Sequence, residues 1–365
     1  MRVGGTEVPL GTPKQRAVLA MLVINRNRPV SIESLLGAAW DQWPPAGARA
    51  TLHSYVSNLR RLIGGGGADA RTVLVSVPPG YRLYAREIDC DIGRFVISKS
   101  AGMQAAAEGH FEEASRRLAA ALAEWRGPVL EDLRQFHFVD AFATAVAEDK
   151  IVAHTARVEA EIACGRAYAV ISQLEMLAAE HPYHEPLWAQ LITAYYLSER
   201  QSEALGAFSR LKAILAGDLG VDPGPRVCEL QARILRQEPL DVKKAAMRTA
   251  ERAVTSMQLR TVGHLESATA LLRDASGRSY PLCAAATTIG RLADNDIVLD
   301  DASVSRHHAV IIDTGTNFVV SDLRSANGVW VRQRRIRGSA MLADGDRIGI
   351  SDHEFTLEIG PRPSD

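Results

Sequence analysis

With 365 residues the chain is longer than one ordinary domain, and two or three are expected. A hydrophobic share of 47% and a charged share of 23% are those of a soluble globular protein, with no run of about 20 apolar residues to span a membrane and no apolar stretch near the start for secretion. The net charge of −1 conceals a basic start: residues 1–87 carry 11 Lys and Arg against 5 Asp and Glu, residues 88–240 carry 15 against 22, and residues 241–365 carry 16 of each, so a polyanion partner is expected for the first segment alone.

In chain order, Val3–Leu10 reads as the end of a β-hairpin turning at Gly4-Gly5. Thr12 is a good helix N-cap, Pro13 suits the first helical position, and Gln15 completes a capping box. Val18, Leu19, Leu22 and Val23 then recur at helical spacing. After a turn at residues 25–29, Ser31 caps a second helix from Ile32 to Trp40, and residues 41–47 form a loop. A third helix is predicted from Ala48 to Ile63, with Leu52, Val56, Leu59 and Ile63 on one stripe. Its other side offers Arg49, His53, Ser57, Arg60 and Arg61, flanked by Ser54 and Asn58. Residues 73–77 and 81–84, joined by Pro78-Pro79-Gly80, read as a hairpin carrying Arg82.

Hairpin, three helices and a terminal hairpin make a winged helix-turn-helix. The run Leu52-x-x-x-Val56-Ser57-x-Leu59-Arg60-Arg61-Leu62-Ile63, followed by Pro79-Gly80-Tyr81-Arg82-Leu83, resembles the OmpR/PhoB type. That resemblance implies a third helix in the DNA major groove and a wing on the backbone or minor groove. Members of that family begin with a four-stranded sheet; about ten residues precede Thr12 here, so the sheet is expected to be clipped. Arg60, Arg61, Arg82 and Lys14 are the candidates for phosphate neutralisation, and Arg49, His53, Ser57 and Asn58 for base edges.

Residues 88–240 are patterned as helices almost throughout. The phrase around Gly109 recurs around Gly165 and again around Glu199, the last two 34 or 35 residues apart. Such repeats read as tetratricopeptide-like helical hairpins. Glu180, His181, His184 and Glu185 do not offer ligands at helical i, i+4 spacing, and Pro182 interrupts them, so a helix-start turn is expected there and no metal. Trp125, Tyr195, Tyr196 and Phe208 read as core. Asp89-Cys90-Asp91-Ile92-Gly93-Arg94-Phe95, with the stretches 180–188 and 217–225, resembles the bacterial transcriptional activation domain. Joined to the winged helix, it is similar to the antibiotic-regulatory-protein (SARP) family of actinobacterial activators. Cys90, Cys164, Cys228 and Cys283 lie far apart and read as buried thiols of a reducing cytoplasm.

Residues 241–259 read as a linker helix, and an all-β domain is expected over 260–360, where short β-branched runs (310–312, 318–320, 329–331) alternate with Gly, Asn, Asp and Ser turns. Arg291, Ser303, Ser305, Arg306, Arg324, Asn295 and Asn327 fall at those turns, a guanidinium, hydroxyl and amide set that suits a phosphate dianion. Gly290-Arg291, Ser305-Arg306-His307-His308, Asn327-Gly328 and Leu342-Ala343-Asp344-Gly345-Asp346, in that order, resemble a forkhead-associated (FHA) domain. The resemblance implies phosphothreonine binding, with Arg291 and Ser305 on the phosphate and Asn327 on the peptide backbone. Ser303 is a further candidate, Gly290 and His308 are structural, and Arg306 is either.

The fold expected is therefore multidomain α+β: a winged helix over 1–87, an all-α helical repeat over 88–240, a linker helix, and an all-β sandwich. The arrangement resembles FHA-containing SARP-type regulators. That implies a cytoplasmic activator that binds double-stranded promoter DNA, touches RNA polymerase, and answers to a phosphothreonine-bearing Ser/Thr kinase, with no cofactor and no membrane. A signalling adaptor whose winged helix does not bind DNA is the rival. No Walker motif, nucleophile elbow or paired carboxylate site supports an enzyme.

Overall fold

The structure, a computed structural model, describes residues 2–3, 6–40, 44–65, 69–262, 270–282, 286–293, 295–313, 317–323, 325–336 and 338–359. The chain divides into two units, one of Met1–Arg94, Trp125–Asp149 and Ser256–Asp365, the other of Phe95–Glu124 and Lys150–Thr255.

At the start, β1 (Arg2–Val3) and β2 (Thr6–Glu7) pair antiparallel; the turn glycines Gly4 and Gly5 lie outside the described residues. In α1 (Pro13–Ile24) the Thr12 hydroxyl accepts from the Gln15 N–H at 3.3 Å. The capping box is half formed, because the Gln15 carboxamide donates to the Leu10 carbonyl at 2.9 Å instead of reaching back to Thr12. Then come β3 (Val30–Ser31), α2 (Ile32–Trp40), α3 (Ala48–Gly64), α4 (Ala70–Val73), β4 (Leu74–Val77) and β5 (Gly80–Leu83). β3 and α4 were not expected. β3 is two residues long, and Ser31 both pairs with Gly80 and caps α2 by accepting from the Ser34 N–H at 3.0 Å. α4 is a single turn that the Asp69 side chain caps. Val18, Leu22, Leu35, Leu52, Val56 and Leu59 meet under the β3-β5-β4 sheet, the core the apolar stripes require.

The helices follow: α5 (Asp91–Ala107), α6 (Phe111–Leu122), α7 (His137–Ala163), α8 (Ala167–Glu180), α9 (Glu185–Leu197), α10 (Gln201–Ile214), α11 (Pro225–Leu235) and α12 (Val242–Val262). The recurring phrase is a recurring helix ending. Gly109, Gly165 and Glu199 each take a left-handed φ (78°, 80° and 60°). The next N–H then reaches back five residues, His110 to Ala105 at 2.8 Å, Arg166 to Glu161 at 3.0 Å and Arg200 to Tyr195 at 2.9 Å. This closes the last carbonyls as a Schellman cap does. Gln237, at φ 56°, makes a fourth, with Glu238 reaching Arg233 at 3.0 Å. Tyr195 and Phe208 are buried in the core that α8, α9 and α10 share, and Tyr196 packs at its edge. The Trp188 indole donates to the Pro182 carbonyl at 2.9 Å, which fastens the turn into α9. Among the described residues no group of three or more His, Cys, Asp or Glu could hold a metal ion.

The segment read as a linker helix is α12, and its Ala246 and Ala250 are buried against Ala105, Phe111, Ala114 and Ala160, so alanine packing holds it. One expectation is corrected. The cysteines are not buried thiols: Cys90 and Cys164 are partly exposed and Cys228 exposed, all free, while Cys283 lies outside the described residues. No described helix is long and apolar enough to cross a membrane.

The C-terminal strands are β6 (Ala270–Asp274), β7 (Ser279–Pro281), β8 (Ala286–Gly290), β9 (Ile297–Val298), β10 (Ala309–Asp313), β11 (Phe318–Asp322), β12 (Val329–Val331), β13 (Arg334–Arg335), β14 (Ser339–Leu342), β15 (Arg347–Ile350) and β16 (His353–Ile359). They form a five-stranded sheet, β14-β11-β10-β8-β9, and a six-stranded sheet, β13-β12-β15-β16-β6-β7. Ile289, Ile311, Phe318, Val320, Ile348, Phe355 and Leu357 fill the space between them.

β10 is buried on both faces. Its outward Val310 and Ile312, with Val319 of β11, lie under Ala141 and Ala145 of α7. One turn earlier, Leu133, Phe136 and Val139 cover Ala17 and Ala20 of α1. Arg16 pairs with Asp132 at 2.7 Å, Arg28 with Asp313 at 3.8 Å, and the Asn317 amide donates to the Asp149 carboxylate. Residues 125–149 therefore join the winged helix and the sandwich in one unit, instead of packing with the rest of 88–240.

Candidate functional site

The loops after β8, β9 and β11 converge at one end of the sandwich. Arg291, Ser303, Ser305, Arg306 and Asn327, all named from the sequence, line one open depression of about 430 Å³. Among the described residues no carboxylate lines it. Arg291 is exposed; its Nε donates to the Val304 carbonyl at 3.3 Å, and its two terminal nitrogens have no protein partner among the described residues. The Ser305 hydroxyl accepts from the Ala326 N–H at 3.1 Å and keeps its own proton to donate. The Asn327 amide nitrogen donates to the Ser303 carbonyl at 2.8 Å, which leaves its oxygen for a backbone N–H. A fork, a hydroxyl donor and an amide acceptor around one hollow can hold a phosphate dianion and one edge of an extended chain.

Ser303 and Arg306 each place side chain and backbone differently. The Ser303 hydroxyl is buried, and the residue works through its backbone: its N–H donates to Asp301 at 2.7 Å and its carbonyl accepts from Asn327 and from Ser351 at 2.8 Å each. Arg306 divides its parts. Its carbonyl accepts from the Asn295 amide at 2.8 Å, a structural bond, while its side chain is exposed at the rim. Arg324 lies outside the described residues.

His308 is wholly buried and ties the loops together. Its Nδ1 accepts from the Ser305 N–H at 3.1 Å, so the ring proton sits on Nε2, which donates to the Gly328 carbonyl at 3.0 Å. Gly290 has no room for a side chain, since a Cβ there would fall 2.9 Å from the Asn295 amide and nearer still to the Arg306 carbonyl oxygen. Sequence reasoning missed the outer brace. His353 pairs with Asp301 at 3.2 Å, and the Ser303 N–H, with His353, holds the Asp301 carboxyl below the usual carboxylate range. Nothing local in the sequence links residues 301 and 353; the pairing needs the sandwich.

On α3, Arg49, His53, Ser57 and Arg61 are exposed, while Leu52, Val56 and Leu59 are buried. Arg49 reaches Glu33 at 2.6 Å, and the His53 Nδ1 meets the Tyr81 hydroxyl at 2.7 Å, which aims Nε2 outward. Arg60 does not join them. Its Nε donates to the Leu74 carbonyl and its Nη2 to the Ser76 hydroxyl, both at 2.9 Å, and its guanidinium lies 5.7 Å from the Tyr81 ring centre. The helical wheel held this signal, because Arg60 is four residues past the buried Val56. Asn58 is turned toward Gln15 at 3.4 Å and accepts from Arg61 at 3.2 Å. Arg82 stacks on Tyr84, and Lys14 sits 5.0 Å above the Trp40 ring.

Comparison with known proteins matches three family models along the chain. Residues 5–83 match the model for the transcriptional regulatory protein C-terminal domain, residues 90–235 the bacterial transcriptional activator domain, and residues 287–351 the FHA domain. The transcriptional regulatory protein EmbR of Mycobacterium tuberculosis is 65% identical over 360 residues, 98% of this chain and 93% of that one. The regulatory protein DnrI of Streptomyces peucetius is 33% identical over 64% of this chain and 88% of its own. The solved structure of M. tuberculosis EmbR in complex with a low-affinity phosphopeptide superposes with a TM-score of 0.97 at 64% identity, over 99% of this chain and 96% of that one.

Proposed function

Because the chain belongs to the family of EmbR-like, FHA-containing transcriptional regulators, we propose that it couples recognition of a phosphothreonine to promoter binding. It activates transcription downstream of a Ser/Thr kinase in the cytoplasm. The autophosphorylated kinase presents its phosphothreonine to Arg291 and Ser305, with Arg306 at the rim, and Asn327 holds the peptide backbone. At the other site Arg49, His53, Ser57 and Asn58 read base edges, while Arg61, Arg82 and Lys14 neutralise phosphates and Arg60 stiffens the wing. RNA polymerase is the third partner, met once the regulator is on its operator.

The observation that carries this reading is the convergence of Arg291, Ser305 and Asn327 on one hollow. Each charge-assisted bond to a phosphate contributes about 1.5–3 kcal/mol. Arg291→Ala is therefore expected to weaken phosphothreonine-peptide binding by at least about tenfold in calorimetry. Equal affinity for phosphorylated and unphosphorylated peptide would remove the role. For the DNA arm, binding to promoter duplex should fall log-linearly with salt, with a shallower slope in Arg61→Ala. Weak binding, indifferent to sequence, would favour an adaptor that signals without touching DNA.

A further inference from the structure

We infer that the Tyr81 hydroxyl is a positioning group that fixes the tautomer of His53, so that Nε2 presents a proton and selects a hydrogen-bond acceptor on a base edge. This rests on the DNA-reading role proposed above and deepens it, by naming what His53 selects. Tyr81 lies in β5, the middle strand of the small sheet, opposite Val30 of β3 and Ser76 of β4. Its residue is only 6% exposed, and its hydroxyl meets Nδ1 of the exposed His53 at 2.7 Å.

Two observations say which partner holds the proton. The hydroxyl has no other hydrogen-bond partner among the described residues. If Nδ1 donated to it, the phenolic proton would be left without an acceptor in a partly buried place. Donation from the O–H to Nδ1 leaves no donor unmet. Arg60 supplies the second observation. Its Cζ lies 5.7 Å from the centre of the same ring, and the Leu74 carbonyl and Ser76 hydroxyl hold it there at 2.9 Å each. A fixed cation over the ring draws electrons from the phenol, which strengthens its O–H as a donor and weakens its oxygen as an acceptor. The imidazole and phenol meet edge to face, with centres 6.3 Å apart and planes at 72°, which adds to the hold on the imidazole.

With Nδ1 occupied, the ring proton sits on Nε2. That atom is on the far side of the ring and has no partner among the described residues. His53 is thus a donor and nothing else. In the major groove guanine presents two acceptors, adenine and thymine one each, and cytosine only an amino donor. His53 accordingly favours guanine and rejects cytosine at one base position. Ser57, one turn along the same exposed side of α3, makes no such choice, because a hydroxyl both donates and accepts.

The test uses the full chain and a pool of short duplexes randomised at their centre. Bound sequences are enriched, and every single-base variant of the best one is measured against the wild type, Tyr81→Phe and His53→Ala. In the wild type one position should favour guanine over cytosine by about two- to tenfold, the contribution of one neutral hydrogen bond. His53→Ala should flatten that position. Tyr81→Phe keeps the ring beneath Arg60 but frees Nδ1, so it should flatten the same position and leave the other preferences standing. Nitrogen NMR shifts of the His53 ring in the free protein should place the proton on Nε2 in the wild type and show mixed tautomers in Tyr81→Phe. A proton on Nδ1 in the wild type, or a Tyr81→Phe variant that keeps the guanine preference or weakens every sequence alike, would overturn the inference. If the wild type enriches no sequence at all, the DNA reading itself falls and takes this inference with it.

Discussion

Single residues show where chemistry departs from bland burial. Glu159 of α7 is packed in the helical unit, and burial pushes its carboxyl up to about 7, against the opposing pull of Gln190 and Arg226. A folded-state value above the unfolded one means the folded chain holds its proton longer. The stability tied to that proton is fully present below the ordinary value of 4.5 and is lost as pH rises toward 7. Glu159→Gln should therefore match the wild type near pH 4.5 and exceed it by about 1–3 kcal/mol near pH 8, read from urea midpoints of the helical unit. An unchanged difference across that range would mean Glu159 is ionised without penalty. Such a group is invisible in sequence, where it is one more helical Glu. Arg291, Ser305 and Asn327 were legible, because motif order alone places them on converging turns. Ser303 was not, because a residue type does not say whether its side chain or its backbone does the binding; for Arg60 the spacing from Val56 marked its face but not which neighbour would claim it.

At the scale of elements, the helical repeat was legible as a repeated phrase before it was legible as a shape. The phrase works because each copy puts a left-handed residue at the same place after a helix, and two of the four copies use glycine. Glu199 and Gln237 hold that conformation with a Cβ, which costs about 1 kcal/mol. Glu199→Gly is expected to recover roughly 0.5–1 kcal/mol, after allowing for the extra freedom glycine has when unfolded. A fall in stability would show that Glu199 makes a contact worth more than its strain. The same reasoning explains what was missed. α12 reads as a helix, but its buried face is made of alanines, which score weakly as an apolar stripe beside Lys243, Lys244 and Arg248, so what it packs against was not legible. β3 and α4 are too short to carry any period.

For the whole unit, the informative feature is the seam beneath the five-stranded sheet. A sheet that faced water on one side would alternate apolar and polar residues. β10 does not, since all five of its residues are buried, and that continuous run in the sequence was the one sign that something covers it. The cover is the first half of α7, whose preceding turn also packs on α1. The hollow at the loop end of the sandwich and the helices α1, α2 and α3 thus belong to one folded body. Any ligand of the sandwich then stabilises all that unfolds with it, by about 2.7 kcal/mol when its concentration is a hundred times its dissociation constant. Amides of α1 should accordingly gain hydrogen-exchange protection when a phosphothreonine peptide is added. Val319→Asp places an unpaired carboxylate against Ala141 and Ala145, at a cost of several kcal/mol. It should abolish the gain at α1 while the hollow, on the far end of the sandwich loops, still takes the peptide. If α1 protection never responds in the wild type, the seam opens below the global transition, and the two sites share a covalent chain without sharing stability.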